Sequence, residues 1–247
     1  MATQTNILRD VAGNTATIAS RQFRSYFNGP VAYIVICLVT FLLGITFWSP
    51  FFLMNRATVR EMFQWLSYLM AFAAPAITMG LIAEEKRSGT LEFLITMPVR
   101  EAEVVLGKFL GAVGLLAVLL LVTVPYPLSV AAFGPLDPGP VFAGYLGLLL
   151  DGSAMIAIGL AASSFTDNQL IAFFSSFFLC ALLALATWLL PLAPAGLVNV
   201  IEWITFDRHL QSMARGVIDT RDVIYFLSIM AFSLMLAFRA LESRRWS

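Results

Sequence analysis

The chain has 247 residues, 60% of them hydrophobic and 12% charged, with Lys+Arg and Asp+Glu equal at 15 each. Soluble domains carry about 45–50% apolar and about 25% charged residues, so composition excludes an ordinary water-soluble globule, as does the mean hydropathy of +0.85. The balanced charge leaves no net field, so no nucleic-acid partner is expected. Cys37 and Cys180 lie in apolar runs, where a thiol behaves as a small hydrophobe, and they make neither a disulfide framework nor a metal cluster.

A hydrocarbon layer about 30 Å thick takes roughly 20 helical residues to cross, and six such stretches read out within one transmembrane domain, 1–247. Residues 1–30 divide into a polar tail, to about residue 17, and a short amphipathic helix from Ile18 to Phe27. Arg21 and Arg24 stand there among Ile18, Phe23, Tyr26 and Phe27, a pattern suited to the headgroup region. Asn28-Gly29-Pro30 breaks it. The first crossing is 31–54 and the second 62–83, followed by a densely charged loop, 84–103. The third, 104–133, is too long for a straight perpendicular helix, and Pro125 and Pro127 predict a kink. A Pro/Gly-rich turn leads to the fourth, 141–164, and a Thr166-Asp167-Asn168 corner to the fifth, 169–190. A long outer loop, 191–221, precedes the sixth, 222–239. The expected class is therefore an all-α integral membrane protein.

Six crossings put both termini on one side. That side holds Arg9, Arg21, Arg24, Lys86, Arg87, Arg100, Lys108, Arg239, Arg244 and Arg245, against Arg56, Arg60, Arg208, Arg215 and Arg221 opposite. The positive-inside bias predicts cytoplasmic termini.

Catalytic constellations are missing from the sequence. His209 is its one histidine, so a His-Glu-x-x-His zinc site is absent. Gly152-Ser153-Ala154 departs from the nucleophile elbow. Gly107-Lys108-Phe109 lacks the first glycine and the Ser/Thr of a phosphate loop, so the chain should not bind ATP in that way. Neither a catalytic residue nor a bound cofactor or metal is expected.

Glu84 to Lys108 is the informative segment. Its charged ends flank an apolar centre in which Leu91, Leu94 and Ile95 recur at i, i+3 and i+4, with Thr90 placed to cap a short helix and Pro98 to stop it. Such an element is too apolar to stand bare in water. It either plugs into a partner protein or lies on the chain's own helix ends.

Three stretches here resemble the signature of type-2 ABC transporter permeases: Glu84-Glu85-Lys86-Arg87-Ser88-Gly89-Thr90-Leu91-Glu92, Met97-Pro98-Val99-Arg100 and Val104-Val105-Leu106-Gly107-Lys108. The nearest branch is that of the gliding-motility and nitrous-oxide-reductase-maturation (copper-processing) permeases, which residues 25–33, 212–226 and 241–246 also resemble. Two departures are Gln22, where members usually place glutamate, and Thr205-Phe206-Asp207-Arg208-His209, which replaces a proline-bearing stretch. The resemblance implies six helices, an interfacial connecting helix bearing Arg21, Arg24 and Tyr26, and a coupling helix between the second and third crossings. It also implies a short re-entrant outer loop. It further implies an exporter subunit of the bacterial inner membrane that works as a dimer. The mate would be a second copy or a different permease, which could carry a periplasmic auxiliary domain. ATP and Mg would be bound by a separate ABC ATPase subunit. In that scheme Glu84, Glu85, Lys86 and Arg87 form the rim of the docking site, and Leu91, Leu94 and Ile95 are its anchors.

Asp151 lies some 15 Å into its crossing by helical rise. A charge there costs about 2.5–3.5 kcal/mol on insertion scales, so Asp151 either lines a path or holds helices together. The Gly107, Gly111, Gly114, Gly144 and Gly147 notches predict close helix packing. Lys108 is expected to snorkel to the headgroups, and His209 to sit at the surface. Trp203 and Phe206 belong to an apolar outer patch too short to span, which reads as either a re-entrant pair or a surface loop. A secondary transporter or channel is the alternative function, but it would normally show several intramembrane ionisable groups or an inverted repeat.

Overall fold

The computed structural model describes residues 2–54, 59–90, 100–134, 136–192 and 194–242, and among these the regular structure is entirely helical. Six stretches are long and apolar enough to cross a membrane: Val31–Trp48, Arg60–Arg87, Glu101–Ala132, Pro138–Phe165, Gln169–Trp188 and Thr220–Glu242. The all-α, six-crossing class expected from composition is the one observed.

Helix α1, Ala2–Asn28, begins at once, so the polar start expected as a loose tail is helical. Helix α2 is Val31–Met54. The second crossing is two pieces, α3 (Arg60–Thr78) and the short α4 (Ala83–Arg87), separated by a turn at 79–82 that contains Gly80. The third is also two, α5 (Glu101–Thr123) and α6 (Pro125–Phe133). The break falls at Val124 because Pro125 supplies no backbone N–H and its ring crowds the preceding turn. Helix α7 is Pro138–Phe165; the Asp137 carboxyl caps it by accepting from the Gly139 N–H at 3.1 Å. Helix α8, Gln169–Leu185, is capped by Asn168 and runs into a 3-10 turn, Ala186–Leu192. Helices α9 (Ala195–Ile204) and α10 (Phe206–Met213) make the outer loop, and α11 is Thr220–Glu242.

Helix α7 is the hub: α3, α5, α8, α10 and α11 all pack on it. Its small residues make this possible. Phe63 lies on Gly144, Leu210 and Met213 on Gly147, Leu116 and Met70 on Gly152, and Thr78 on Gly159. Without water to drive association, helices in lipid gain by close van der Waals approach, and an added Cβ at these positions would collide with a neighbour. Outward-facing residues such as Phe41, Phe174, Phe178 and Phe232 stay exposed, as a lipid-facing surface should.

Gly107, Gly111 and Gly114 of α5 are filled by α1 rather than by another crossing: Ile18 over Gly107, Gln22 and Ala19 over Gly111, Phe23 over Gly114. Asn14 also donates to the Glu103 carboxylate at 3.1 Å. Contacts rise in register along both helices, so α1 runs lengthwise beside α5. We call "near" the face holding Gly29, Gly80, the start of α5 and the α7–α8 corner, and "far" the opposite one.

Candidate coupling junction

The near face gathers the charged motif. Helix α4 ends at Ser88-Gly89, where Gly89 takes φ +71, a conformation that favours glycine. The Ser88 N–H donates to Glu84 O at 2.9 Å and that of Gly89 to Lys86 O at 3.2 Å, which closes the turn. Glu84, Arg87, Ser88 and Thr90 are exposed, whereas Glu85 and Lys86 are partly buried. Leu91, Glu92, Leu94, Ile95 and Pro98 lie outside the described residues.

Three anchors fix this turn to the helices behind it. Lys108, buried on α5, holds Glu85 Oε1 at 2.8 Å and donates to the Leu81 carbonyl. It does not snorkel, because a carboxylate and a free helix-end carbonyl satisfy the ammonium more closely than distant headgroups would. Ser163, near the end of α7, accepts from the Ile82 and Ala83 N–H groups at 3.1 and 3.0 Å and donates to Met79 O at 3.1 Å. One hydroxyl thus caps the start of α4 and ties it to the end of α3. Lys86 donates to the Ser164 carbonyl at the end of α7.

The predicted connecting-helix residues separate. Arg21 and Arg24 are exposed, while Tyr26 is buried and donates to Ile77 O at 3.1 Å. Burial, opposed weakly by a hydrogen bond with Gln22, pushes the Tyr26 phenol well above its ordinary range, so it remains a donor. The junction therefore joins α1, α3, α4, α5 and α7. Sequence reading singled out Glu84–Thr90 and Tyr26 but did not mark Ser163 or Ser164, since serines in an apolar helix carry no pattern.

Elsewhere, Asp151 is fully buried and its Oδ2 accepts from the Ser67 hydroxyl at 2.6 Å; its Oδ1 has no hydrogen-bond partner among the described residues. On the far face α9 and α10 form the re-entrant pair. Chain direction shows the dip: Leu210 and Met213 touch Gly147 of α7, whereas Gly216, at φ +89, packs on Pro140 near the helix start. Phe206, at the inner corner, is completely buried against Tyr225 and Phe226, and Trp203 is exposed. Asp207 accepts from Gln64 at 3.2 Å and from Gln211 at 2.9 Å. His209 is not at the surface. It is 4% exposed, stacked on Tyr225 at 3.9 Å, and its ring nitrogens face Asp222 Oδ1 at 2.7 Å and the Trp203 carbonyl at 3.1 Å. The dip turns inward a face that surface-loop reasoning would leave in water.

Six apolar crossings, with a charged turn braced at one face and a helical pair packed on the hub at the other, make a polytopic membrane bundle. The family model described as ABC-2 family transporter protein matches residues 4–235, and the chain belongs to that family. The chain is also similar to a Pseudomonas aeruginosa protein named "Probable ABC transporter permease protein NosY", 30% identical over 178 residues. That match covers 61% of this chain and 65% of the relative, so it spans less than two thirds of the relative's own length. The protein is a multi-pass membrane protein of the ABC-2 transporter family.

Proposed function

We propose that this permease works as an exporter-type subunit of the bacterial inner membrane, paired with a second permease and driven by a separate ATPase docked on the segment Glu84–Pro98. The near face is then cytoplasmic, in agreement with the Lys/Arg bias. The observation that carries the reading is the bracing of the charged turn: Lys108, Ser163 and Lys86 bind it to α5, α3 and α7. A loop that serves only to connect two crossings needs no such fixing. A lever pushed by a partner does, because displacement is transmitted only through contacts that hold as a unit.

ATP chemistry belongs to the partner in this reading. This chain's part is mechanical: Glu84 and Arg87 set the register of docking at the rim, Leu91, Leu94 and Ile95 are the buried anchors, and the junction hands the motion to the hub helix α7. Asp151, bonded to Ser67, joins α3 to α7 and holds the helices together. The gliding-motility and copper-processing branches remain the nearest functional settings, on the motifs named above.

Co-expression with the ATPase tests the reading. Leu94→Asp should abolish co-purification of the ATPase while membrane insertion and permease yield are kept. Full ATPase recovery with that variant, or transport by the permease without any ATPase, would overturn it.

A further inference from the structure

On the far face, packing secures α9 and α10 unequally. Helix α10 is fixed to the bundle by Leu210 and Met213 on Gly147 of α7, and by Asp207 with Gln64 of α3. Helix α9 packs on the 3-10 turn Ala186–Leu192 before it, and on no crossing to the same extent among the described residues. Val200, Trp203 and Ile204 on it are exposed. Its last carbonyls, left over as at every helix C-terminus, are taken up by side chains. Trp203 O faces His209 Nε2 at 3.1 Å, and Ile204 O accepts from the Tyr225 hydroxyl.

Both ring nitrogens of His209 thus face acceptors, since Asp222 Oδ1 stands 2.7 Å from Nδ1. A neutral imidazole has one N–H. The arrangement is satisfied when the His209–Asp222 pair holds two protons. One sits on Nε2, directed at Trp203 O, and one lies between Nδ1 and Oδ1, on whichever atom it rests. The pair is then neutral overall. With one proton gone, one of the two contacts sets lone pair against lone pair. Net negative charge is also left in a site where His209 is 4% and Asp222 7% exposed.

The ionisable groups on the surrounding elements are engaged elsewhere or stand in the open. Asp207 is bonded to Gln64 and Gln211, and Arg208 turns to Glu202 at 3.7 Å. Asp219 accepts from the Arg221 N–H at 2.9 Å, while the Arg221 side chain, like Arg60 and Glu61 of α3, is exposed. Cys180 of α8 donates to Met155 O at 3.9 Å, and Asp151 of α7 lies within electrostatic range of Tyr225. Tyr225 itself stacks on the His209 ring at 3.9 Å.

We propose that His209 and Asp222 form a proton-operated latch on α9. With both protons in place, the C-terminal end of α9 is pinned to α11; when one leaves, the Trp203 carbonyl is let go and α9 swings off the bundle. The closed form binds more protons than the released one, so rising pH favours release. Histidine is the side chain suited to such a change in the physiological range. The inference stands on far-face geometry and does not depend on the ATPase reading.

The test places two nitroxide labels on the full-length protein in detergent, at Val200→Cys of α9 and Ile224→Cys of α11, both exposed, in a Cys37→Ser background. Their separation is read by dipolar EPR from about pH 5 to about pH 9. A short separation should dominate at the acid end, and a longer one should rise about fivefold in population toward the alkaline end. A control pair, Phe178→Cys with Phe232→Cys, should keep its separation; if it moves together with the first pair, the response is global and the proposal falls. Asp222→Asn offers Nδ1 an amide N–H that does not titrate, while Nε2–H stays on Trp203 O, so α9 should remain closed where the parent opens. His209→Gln, without a titrating ring, should abolish the pH response. A parent separation independent of pH, or an Asp222→Asn variant that opens as the parent does or is loose at every pH, overturns the proposal.

Discussion

Glu85 Oε1 and Lys108 Nζ meet at 2.8 Å where the charged turn touches the third crossing, and the lysine is buried while the glutamate keeps about a third of its side chain exposed. The unequal exposure decides what each partner does. Removing Glu85 strands a buried ammonium on the Leu81 carbonyl alone, whereas removing Lys108 leaves a carboxylate on a side chain that is a third exposed. Glu85→Leu is therefore expected to destabilise the detergent-solubilised protein more than Lys108→Met. The double variant should lose less than the sum, with a coupling energy of about 1–3 kcal/mol by thermal unfolding. Additive losses would show that the pair is incidental.

Ser163 satisfies two backbone donors and one carbonyl at a helix junction. Ser163→Ala leaves the Ile82 and Ala83 N–H groups without that acceptor, at about 1–3 kcal/mol for each buried group left unmade. Amide exchange at residues 82 and 83 should accelerate at least tenfold relative to the middle of α7. In the coupled complex, ATPase activity should also become less responsive to the permease.

The fit of α1 on α5 rests on an absent side chain. A Cβ at Gly111 would stand 2.7 Å from that of Gln22 and 2.9 Å from the Ala19 carbonyl, so the neighbouring backbone must move. Gly111→Val should detach α1. Limited proteolysis should then cut within residues 13–28 at least several-fold faster, with the bundle intact. Gly13→Ala, whose added Cβ meets nothing within 4 Å, is the control and should leave the cleavage rate unchanged.

On the far face, His209 and Asp222 pin the re-entrant pair to α11, and the second Asp222 oxygen has no hydrogen-bond partner among the described residues. His209→Leu leaves that carboxyl buried and unpaired, a change worth about 3–5 kcal/mol when one member of a buried pair is removed. A cysteine at Val200 on the exposed face of α9 should become more reactive to a membrane-impermeant thiol reagent as the pair loosens. Asp222→Asn together with His209→Leu should recover part of the stability.

Asp151 separates its two roles by substitution. Asp151→Asn keeps an oxygen for the Ser67 hydroxyl and should preserve both fold and transport, whereas Asp151→Leu strands that hydroxyl in the bundle centre and should lower the melting temperature by several degrees. Transport lost in the Asn variant with an unchanged melting temperature would assign the residue to the path.

Chain order and hydropathy alone determined six crossings, the proline break in the third and the charged turn, because a hydrocarbon layer accepts only long apolar helices and these leave a composition signal that needs no neighbours. The motif at Glu84–Lys108 pointed to the family for a related reason: its charges and apolar residues are adjacent in sequence. Tertiary structure decided the rest. Lys108 is read as a snorkelling cation until the Glu85 carboxylate is seen beside it, and His209 as a surface residue until the re-entrant dip brings Asp222 and Tyr225 against it. The glycines of α5 announce a close neighbour without saying that α1 is the one. Each of these rests on which surfaces face each other, and that is set by complementary shape between helices far apart in the chain, where no local spacing records it.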